Sequence, residues 1–227
     1  MNHEPSVNLA PFIDHTLLKP EATRSDIEAL CQEARLYKFK TVCVNPLYIP
    51  LAAKLLAGGP TVPISVIGFP LGATFTANKV HEAKLAVQAG AQEIDMVLAI
   101  GALKDGDLNY VRRDISAVVE ACGHLPVKVI IETALLTHSE KVLACQLSEQ
   151  AGAAFVKSCS GFSGGGATVE DIRLMRAAVS AHVKVKASGG IRDRATALAM
   201  LDAGAQRLGT SSGVAIMNAK STTQGGY

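Results

Sequence analysis

A closed α/β barrel of eight parallel strands, the (β/α)8 or TIM barrel, is the fold class that this sequence predicts. Short β-branched runs alternate with longer segments of helical period, and eight such runs can be counted. The 227 residues, 48% of them hydrophobic, are sufficient for one large core, and barrels of this class often have this length. We therefore expect a single domain over residues 1–227, with a short N-terminal segment and a mobile C-terminal tail from about residue 218 to 227.

The eight strands follow one another along the whole chain. They are predicted at residues 12–14, 41–44, 64–67, 93–97, 128–131, 155–156, 184–186 and 207–208. Helices are expected between them. One opens at Ser25 and Asp26 and carries apolar residues on one face, and another is capped by Thr168 with acidic residues in its first turn.

Three of the predicted helices end on the same Ala-Gly-Ala sequence just before the next strand. The central residues are Gly90, Gly152 and Gly204, and glycine at such a position supplies a left-handed helix stop. A turn that recurs between helix and strand lies at one end of a barrel. The chemistry is therefore expected at the opposite end, where the strands finish.

Composition argues against several classes of partner and compartment. There are 22 basic and 20 acidic residues without a basic run, and aromatic residues make up only 4%, so we expect no nucleic-acid partner. The five cysteines form no Cys-x-x-Cys pair, and the first residues lack the pattern of an export signal. No segment is apolar enough to span a membrane. We expect a cytoplasmic protein.

Two predicted strands each lead through a lysine into a loop of small residues. These lysines are Lys157 and Lys186, and an amine at the edge of a buried strand is a candidate Schiff-base nucleophile, because burial and a second ammonium both lower its pKa. Asp95, on the fourth strand, is expected to point into the same cavity. The alternative is that these three groups form only a structural ion-pair network.

Glycine-rich segments follow the last three strands. Gly189 and Gly190 follow strand seven, and Gly209, Ser211 and Ser212 follow strand eight; in barrels, loops at these positions and a short helix bind phosphate. The loop that starts at Gly161 after strand six is expected either to add donors or to be merely flexible. A phosphorylated substrate is implied, although each loop taken alone is also compatible with a structural turn.

Several motifs together resemble the deoxyribose-phosphate aldolase family. They are residues 13–20 (IDHTLLKP), 42–46 (VCVNP), 93–97 (EIDMV), 155–157 (FVK), 185–190 (VKASGG) and the ending QGGY at 224–227. The resemblance spans essentially the whole chain, with the motifs in the order and spacing of that family.

The resemblance implies a class I aldolase that uses no metal and no cofactor. Such an enzyme reversibly cleaves 2-deoxy-D-ribose 5-phosphate to glyceraldehyde 3-phosphate and acetaldehyde. Lys157 matches the Schiff-base lysine, Lys186 the second lysine whose charge keeps the first partly neutral, and Asp95 the carboxylate that moves protons. The resemblance also implies that the protein forms a homodimer or a homotetramer.

Other residues match positions of the family that contact the substrate. Asp14, Thr16, Cys43 and Ser160 belong to this group. For the first three, the alternatives are a hydrogen bond at the barrel rim, a cap and a small core residue, respectively. The resemblance also implies that Tyr227, at the end of the tail, assists protonation, the alternative being a frayed end.

The chain departs from the family immediately after the nucleophile. Ser158, Cys159 and Ser160 stand where Thr-Ser-Thr is usual, so we expect activity to survive with altered efficiency and acceptor preference, and Cys159 to be open to oxidation. Two other functions stay open at this point: a transaldolase-like enzyme on a longer sugar phosphate, and a sugar-phosphate-binding barrel without turnover.

Overall fold

The structure, a computed structural model, describes residues 7–218. Eight parallel strands close into a barrel in sequence order, which confirms the predicted fold class. The strands are β1 (Ile13–Leu17), β2 (Thr41–Val44), β3 (Val62–Ile67), β4 (Glu93–Val97), β5 (Val127–Ile130), β6 (Phe155–Lys157), β7 (Lys184–Ser188) and β8 (Arg207–Thr210).

Helices cover the outside of the barrel between successive strands. They are α1 (Arg24–Tyr37), α2 (Ile49–Leu56), α3 (Thr76–Gln88), α4 (Ile100–Lys104), α5 (Leu108–Cys122), α6 (His138–Gln150), α7 (Val169–Ala178), α8 (Arg194–Asp202) and α9 (Gly213–Asn218). Short 3-10 turns lie before β1 and after β2 and β5, at Ala10–Phe12, Pro46–Tyr48 and Thr133–Leu135. The predicted tail beyond residue 218 lies outside the described residues.

Helix α1 begins slightly earlier than its sequence predicts. Thr23, rather than Ser25, is the capping residue: its side chain accepts from the Asp26 amide and its own amide donates to the Asp26 carboxylate, at 3.4 and 2.7 Å. The predicted apolar face is buried as expected. The Thr168 cap of α7 is confirmed, since its hydroxyl accepts from the Asp171 amide at 3.0 Å.

The three Ala-Gly-Ala turns have the predicted left-handed glycine. At Gly204, φ is 108°, and a β-carbon there would lie 2.8 Å from Cγ of Arg176, so both conformation and space require glycine. All three turns lead into the starting ends of strands β4, β6 and β8. The carboxyl ends of the strands therefore form the opposite mouth of the barrel.

The last two strands are longer than their predicted ranges. Strand β7 continues through Ser188 and strand β8 through Thr210, and Ser188 pairs with Gly209 in parallel register. The expectation that Gly209 lies in a loop was therefore wrong. The regular strand pairing extends past the short β-branched runs that a sequence pattern detects.

The two faces of the strands differ in chemistry. Outward residues such as Val42, Ile94 and Val129 join the main hydrophobic core with the helices. A second, smaller apolar cluster contains Cys43, Ile64, Val66 and Leu18. Because successive side chains alternate across a strand, the remaining inward positions, mostly on β4 to β8 and β1, are available to charged groups.

Two further observations concern the described residues. All five cysteines are free and buried. Between residues 7 and 218, no helix is long and apolar enough to cross a membrane.

Candidate active site

Asp95 lies at the centre of a buried cluster of amines inside the barrel. Its Oδ1 accepts from Nζ of Lys128 at 2.9 Å, and its Oδ2 accepts from Nζ of both Lys157 and Lys186 at 2.8 Å. The lysines stand on β5, β6 and β7, so one carboxylate from β4 reaches the next three strands in the barrel. The predicted convergence of Lys157, Lys186 and Asp95 is what the structure contains.

The cluster continues around the barrel as a ring of ion pairs. Lys186 also pairs with Asp14 at 2.5 Å, and Asp14 accepts from Arg207 at 2.6 Å. Arg207 pairs with Glu93, and Glu93 also pairs with Lys128, which closes the ring. The structure therefore contains the ion-pair network that was the alternative interpretation. The candidate catalytic groups are members of this network, so the two interpretations are compatible.

The charges of this ring determine the protonation of its buried members. Burial raises the pKa of Asp95, but Lys128, Lys157 and Lys186 outweigh burial and hold that pKa well below its usual range. Burial likewise lowers the pKa of Lys186, and Asp14 and Asp95 reverse the effect so that the net shift is upward. At neutral pH, Asp95 is a carboxylate and Lys186 an ammonium.

A cavity of about 400 Å³ opens above this ring at the carboxyl ends of the strands. Lys157, which is 3% exposed, borders the cavity, whereas Lys128 and Lys186 are fully buried beneath it. The cavity wall comes from the ends of β1, β6, β7 and β8, namely Thr16, Leu17, Leu18, Lys19, Lys157, Ser160, Gly161, Phe162, Ser188, Gly189, Gly190, Ile191, Arg192, Gly209, Thr210 and Ser211. Lys157 is thus the amine of the ring that a ligand can reach.

Most of the predicted binding residues border this cavity. Thr16, Ser160 and the phosphate-loop candidates Gly161, Gly189, Gly190, Gly209 and Ser211 do so. Asp14 lies beneath it with Lys186. Ser212 does not line the cavity, because the chain turns into α9 there and the Ser212 amide donates to the Thr210 hydroxyl at 2.9 Å.

Cys43 lies in the apolar part of the barrel interior and not on the cavity wall. Burial, followed by the nearby Asp95 carboxylate, raises the pKa of its thiol to about 11. The small-core alternative thus describes its packing. Tyr227 lies outside the described residues.

The glycine-rich loop after β7 does not open helix α8 directly. The cap of α8 is Asp193, whose carboxylate accepts from the Thr196 amide at 2.8 Å. The predicted helix terminus for phosphate after strand seven is therefore already taken by an acidic side chain. The loop itself, with Gly189 and Gly190, is what remains available on that side.

Cys159 occupies a protected position next to the nucleophile strand. Its thiol lies 2.6 Å from the Ser188 carbonyl oxygen, it has no exposed surface, and burial raises its pKa. Oxidation requires thiolate character and exposure. Burial and the raised pKa of the thiol therefore both disfavour oxidation of Cys159.

Sequence reasoning did not select five charged residues that the structure brings to the site. Lys128, Glu93 and Arg207 complete the buried ring, and Lys19 and Arg192 stand at the cavity rim. No local signal marks the first three: Lys128 pairs with Asp95 across β4 and β5, Arg207 pairs with Lys186 across β7 and β8, and Glu93 lies two residues before Asp95 on β4. For Arg192, the signal is a cation directly after the glycine-rich loop of β7.

A family model described as DeoC/LacD family aldolase matches residues 9–219 of the chain. The chain belongs to this family of aldolases. A deoxyribose-phosphate aldolase of Brevibacillus brevis is 56% identical over 221 residues, which are 97% of this chain and 100% of the relative. One of Streptococcus gordonii is 57% identical over 221 residues, with the same two coverages.

A solved structure agrees with these relatives. The tetrameric deoxyribose phosphate aldolase from Aeropyrum pernix superposes with a TM-score of 0.87 at 34% identity, covering 92% of this chain and 89% of that one. The family membership and the barrel are thus supported by sequence and by shape.

In this aldolase, Gly209 leaves the space that Lys186 occupies. A β-carbon at Gly209 would lie 3.0 Å from Cε of Lys186 and 2.9 Å from Cβ of Ser188. We expect Gly209→Ala to displace the Lys186 amine and lower kcat/KM roughly tenfold to a hundredfold, because misplaced catalytic groups cost that much. Steady-state kinetics with a folded variant would measure it.

Gly101 provides the matched control for that substitution. It lies in helix α4, where an added β-carbon would point into open space with no packed atom within 4 Å. Gly101→Ala should leave kcat/KM unchanged and stabilise the helix slightly. Equal kinetics for the Gly209→Ala and Gly101→Ala variants would contradict the spacing argument.

The Asp14 carboxylate of the aldolase should contribute an acid-sensitive part of the stability. Its pKa is about 2, against 3.8 for an unperturbed aspartate: burial opposes the shift, and Lys186 and Arg207 outweigh burial. A carboxylate with a depressed pKa stabilises the fold fully above about pH 4 and loses that contribution as the pH falls toward 2. Wild-type protein should lose on the order of 2 kcal/mol over this window relative to Asp14→Asn.

Urea unfolding of both proteins between neutral pH and pH 2 would measure this difference. The gap in the free energy of unfolding should be largest at neutral pH and shrink on the acid side. A gap that does not change with pH would show that Asp14 contributes through packing alone.

Proposed function

We propose that this chain reversibly cleaves 2-deoxy-D-ribose 5-phosphate to D-glyceraldehyde 3-phosphate and acetaldehyde, through a Schiff base on Lys157. The observation that carries the proposal is the Lys157 amine at the cavity surface, bound to an Asp95 oxygen that it shares with Lys186. The similar deoxyribose-phosphate aldolases support the choice of substrate.

The buried ring supports Lys157 as the nucleophile. It contains four cations, Lys128, Lys157, Lys186 and Arg207, but only three carboxylates. Loss of one proton balances these charges, and a neutral amine is what attack on an aldehyde requires. Of the three lysines, Lys157 is the one that borders the cavity.

The reaction follows from an amine at that position. Nζ of Lys157 adds to the C1 aldehyde of the open-chain sugar, and loss of water gives an iminium ion. Removal of the C3 hydroxyl proton then breaks the C2–C3 bond, and its electron pair moves into the iminium to give an enamine. Glyceraldehyde 3-phosphate leaves; protonation of the enamine carbon and hydrolysis release acetaldehyde and restore the amine.

Asp95 and Lys186 are proposed to share the proton transfers. Asp95 starts as a carboxylate because its pKa is low, so it first accepts a proton and donates only one that it has received. Lys186 starts as an ammonium because its pKa is raised, so it first donates a proton and later takes one back, on the Asp95 oxygen that it shares with Lys157. A proton acceptor and a proton donor are thus both available beside the iminium nitrogen.

The phosphate is proposed to bind at the β7 and β8 side of the cavity. Gly189, Gly190 and Ser211 border this side, Gly161 after β6 borders the same cavity, and Lys19 and Arg192 add positive charge at the rim. A sugar phosphate with its aldehyde at Lys157 would then extend across the cavity.

We also propose a role for Tyr227, an oligomeric state and a location. Tyr227 is proposed to assist protonation of the enamine, on the family resemblance alone. A homodimer or homotetramer is proposed because the similar Aeropyrum pernix enzyme is tetrameric. A cytoplasmic location is proposed because five free cysteines suit a reducing compartment.

Product analysis tests the proposed function. Incubation with 2-deoxy-D-ribose 5-phosphate should release acetaldehyde and glyceraldehyde 3-phosphate in equal amounts, at a rate that EDTA leaves unchanged. Transfer of a three-carbon fragment from a longer sugar phosphate would favour the transaldolase-like alternative. Thermal stabilisation by the sugar phosphate without its consumption would favour a binding protein.

A further inference from the structure

Glu132 combines two unusual properties immediately after strand β5. It is fully buried, and its backbone is in the left-handed region with φ 58° and ψ 67°. A residue with a β-carbon adopts this conformation at a cost in free energy. The conformation therefore persists only where the surrounding structure maintains it. Such outliers concentrate at functional sites, and Glu132 has no role in the reaction derived above.

The Glu132 carboxylate binds the segment that follows the nucleophile. Both of its oxygens lie 3.2 Å from the backbone nitrogen of Ser160, which donates to them. Within residues 7–218, no lysine, arginine or histidine forms an ion pair with this carboxylate. A buried carboxylate is therefore used to hold one backbone amide.

The backbone on both sides of Glu132 continues the pairing to the same segment. The Ile131 amide donates to the Lys157 carbonyl, and the Thr133 amide donates to the Ser158 carbonyl, each at 3.0 Å. The left-handed backbone at Glu132 thus leaves the hydrogen bonds of Ile131 and Thr133 intact. The Glu132 side chain reaches Ser160, which lies two residues after Ser158.

The contact extends from Ser160 to the cavity wall. The Ser160 hydroxyl accepts from the Phe162 amide at 3.0 Å, and the Phe162 ring meets the Phe69 ring edge-on with 5.2 Å between centroids. Ser160, Gly161 and Phe162 all border the cavity. We call residues 158–162 the β6 loop.

We propose that Glu132 is a positioning residue that holds the β6 loop in the shape that receives the phosphate-bearing half of the substrate. Lys157 is held separately, by Asp95 and by the pairing of β6 with its neighbours. Loss of the Glu132 contact should therefore affect binding of the extended substrate more than formation of the Schiff base. This inference rests on the proposed function.

Glu132→Gly and Glu132→Gln form the matched pair for the test. Glycine removes the carboxylate and accepts the left-handed backbone, whereas glutamine keeps an oxygen that can accept from Ser160. For Glu132→Gly, kcat/KM for the phosphorylated sugar should fall roughly tenfold to a hundredfold, mainly through KM, as expected for one hydrogen bond to a charged group. Glu132→Gln should stay within about threefold of wild type, since it keeps the acceptor.

Three readouts distinguish positioning from a general structural role. Cleavage of unphosphorylated 2-deoxyribose, and borohydride trapping of acetaldehyde on Lys157, should change less than about threefold in Glu132→Gly. Amide hydrogen exchange in the peptide containing Ser160 should accelerate in Glu132→Gly and not in Glu132→Gln. If Glu132→Gly does not fold, Glu132→Asp, which tolerates this backbone and shortens the reach, should show the same split.

Three results would overturn the proposal. They are equal losses on the phosphorylated and unphosphorylated sugars, no loss on either, and unchanged exchange at Ser160. Failure of the proposed function looks different, because wild-type protein would then neither consume the sugar phosphate nor form an adduct at Lys157. The exchange measurement would still report on the Glu132 contact in that case.

Discussion

Replacing Lys157 with alanine is expected to lower kcat for cleavage of 2-deoxy-D-ribose 5-phosphate by about 10⁴-fold or more, because no other group can form the imine. Lys186 does not substitute for it. The Lys186 amine is fully buried, pairs with Asp14 and Asp95, and has an upward-shifted pKa that keeps it protonated. The folded state should survive, since Lys157 is one of three amines on Asp95.

Borohydride reduction with acetaldehyde, followed by peptide mass spectrometry, checks the same prediction directly. Wild-type protein should gain one ethyl group, on Lys157, and the Lys157→Ala variant should gain none at that peptide. Lys184→Ala is the matched control, because Lys184 stands at the opposite, exposed end of the strand that carries Lys186. A wild-type adduct on a different lysine, with Lys157 unmodified, would refute the assigned nucleophile.

Replacing Asp95 with asparagine is expected to reduce both activity and stability. The substitution leaves Lys157 without its ion pair and removes one carboxylate from a ring that already has more cations than anions. Breaking a buried pair costs roughly 3–5 kcal/mol. Loss of the proton acceptor should lower kcat by a further factor of about 10² to 10⁴.

Asp114 offers a control that separates these two effects. It is also fully buried and pairs with a buried lysine, Lys79, at 2.6 Å, but on α5 and α3 outside the barrel interior. Asp114→Asn should therefore destabilise the protein by a similar amount and leave kcat unchanged in the folded fraction. Urea unfolding and kinetics on both variants would measure this, and equal losses of kcat would show that Asp95 acts only through stability.

The sequence alone predicted the barrel and the convergence of Lys157, Lys186 and Asp95. Eight β-branched runs separated by helical segments correspond to the eight strands, because the alternation of buried and exposed positions is a local property of each segment. Lys157, Lys186 and Asp95 were found in the same way. Strands in a barrel end at one mouth, so inward charges on neighbouring strands must meet.

The remaining partners of the ring were not selected from the sequence. Glu93, Lys128 and Arg207 stand nearer the starting ends of their strands, where nothing local distinguishes an inward charge from an outward one. The register of the strands determines which charges point inward and meet. Asp95 pairs with Lys128 on the adjacent strand, and Lys186 pairs with Arg207. The protonation of Asp95 and Lys186 follows from those neighbours, so it was equally hidden.

Local patterns in the chain were enough to predict its fold class and the three charged groups that meet inside the barrel, because periodicity, caps and strand-end lysines are properties of short segments. Only the closed barrel determined which lysines share an Asp95 oxygen and which lysine borders the cavity. It also determined that the Glu132 carboxylate accepts a hydrogen bond from the Ser160 amide. Those relations join residues far apart in the chain, and their energies depend on distances and burial that exist only after the strands have paired.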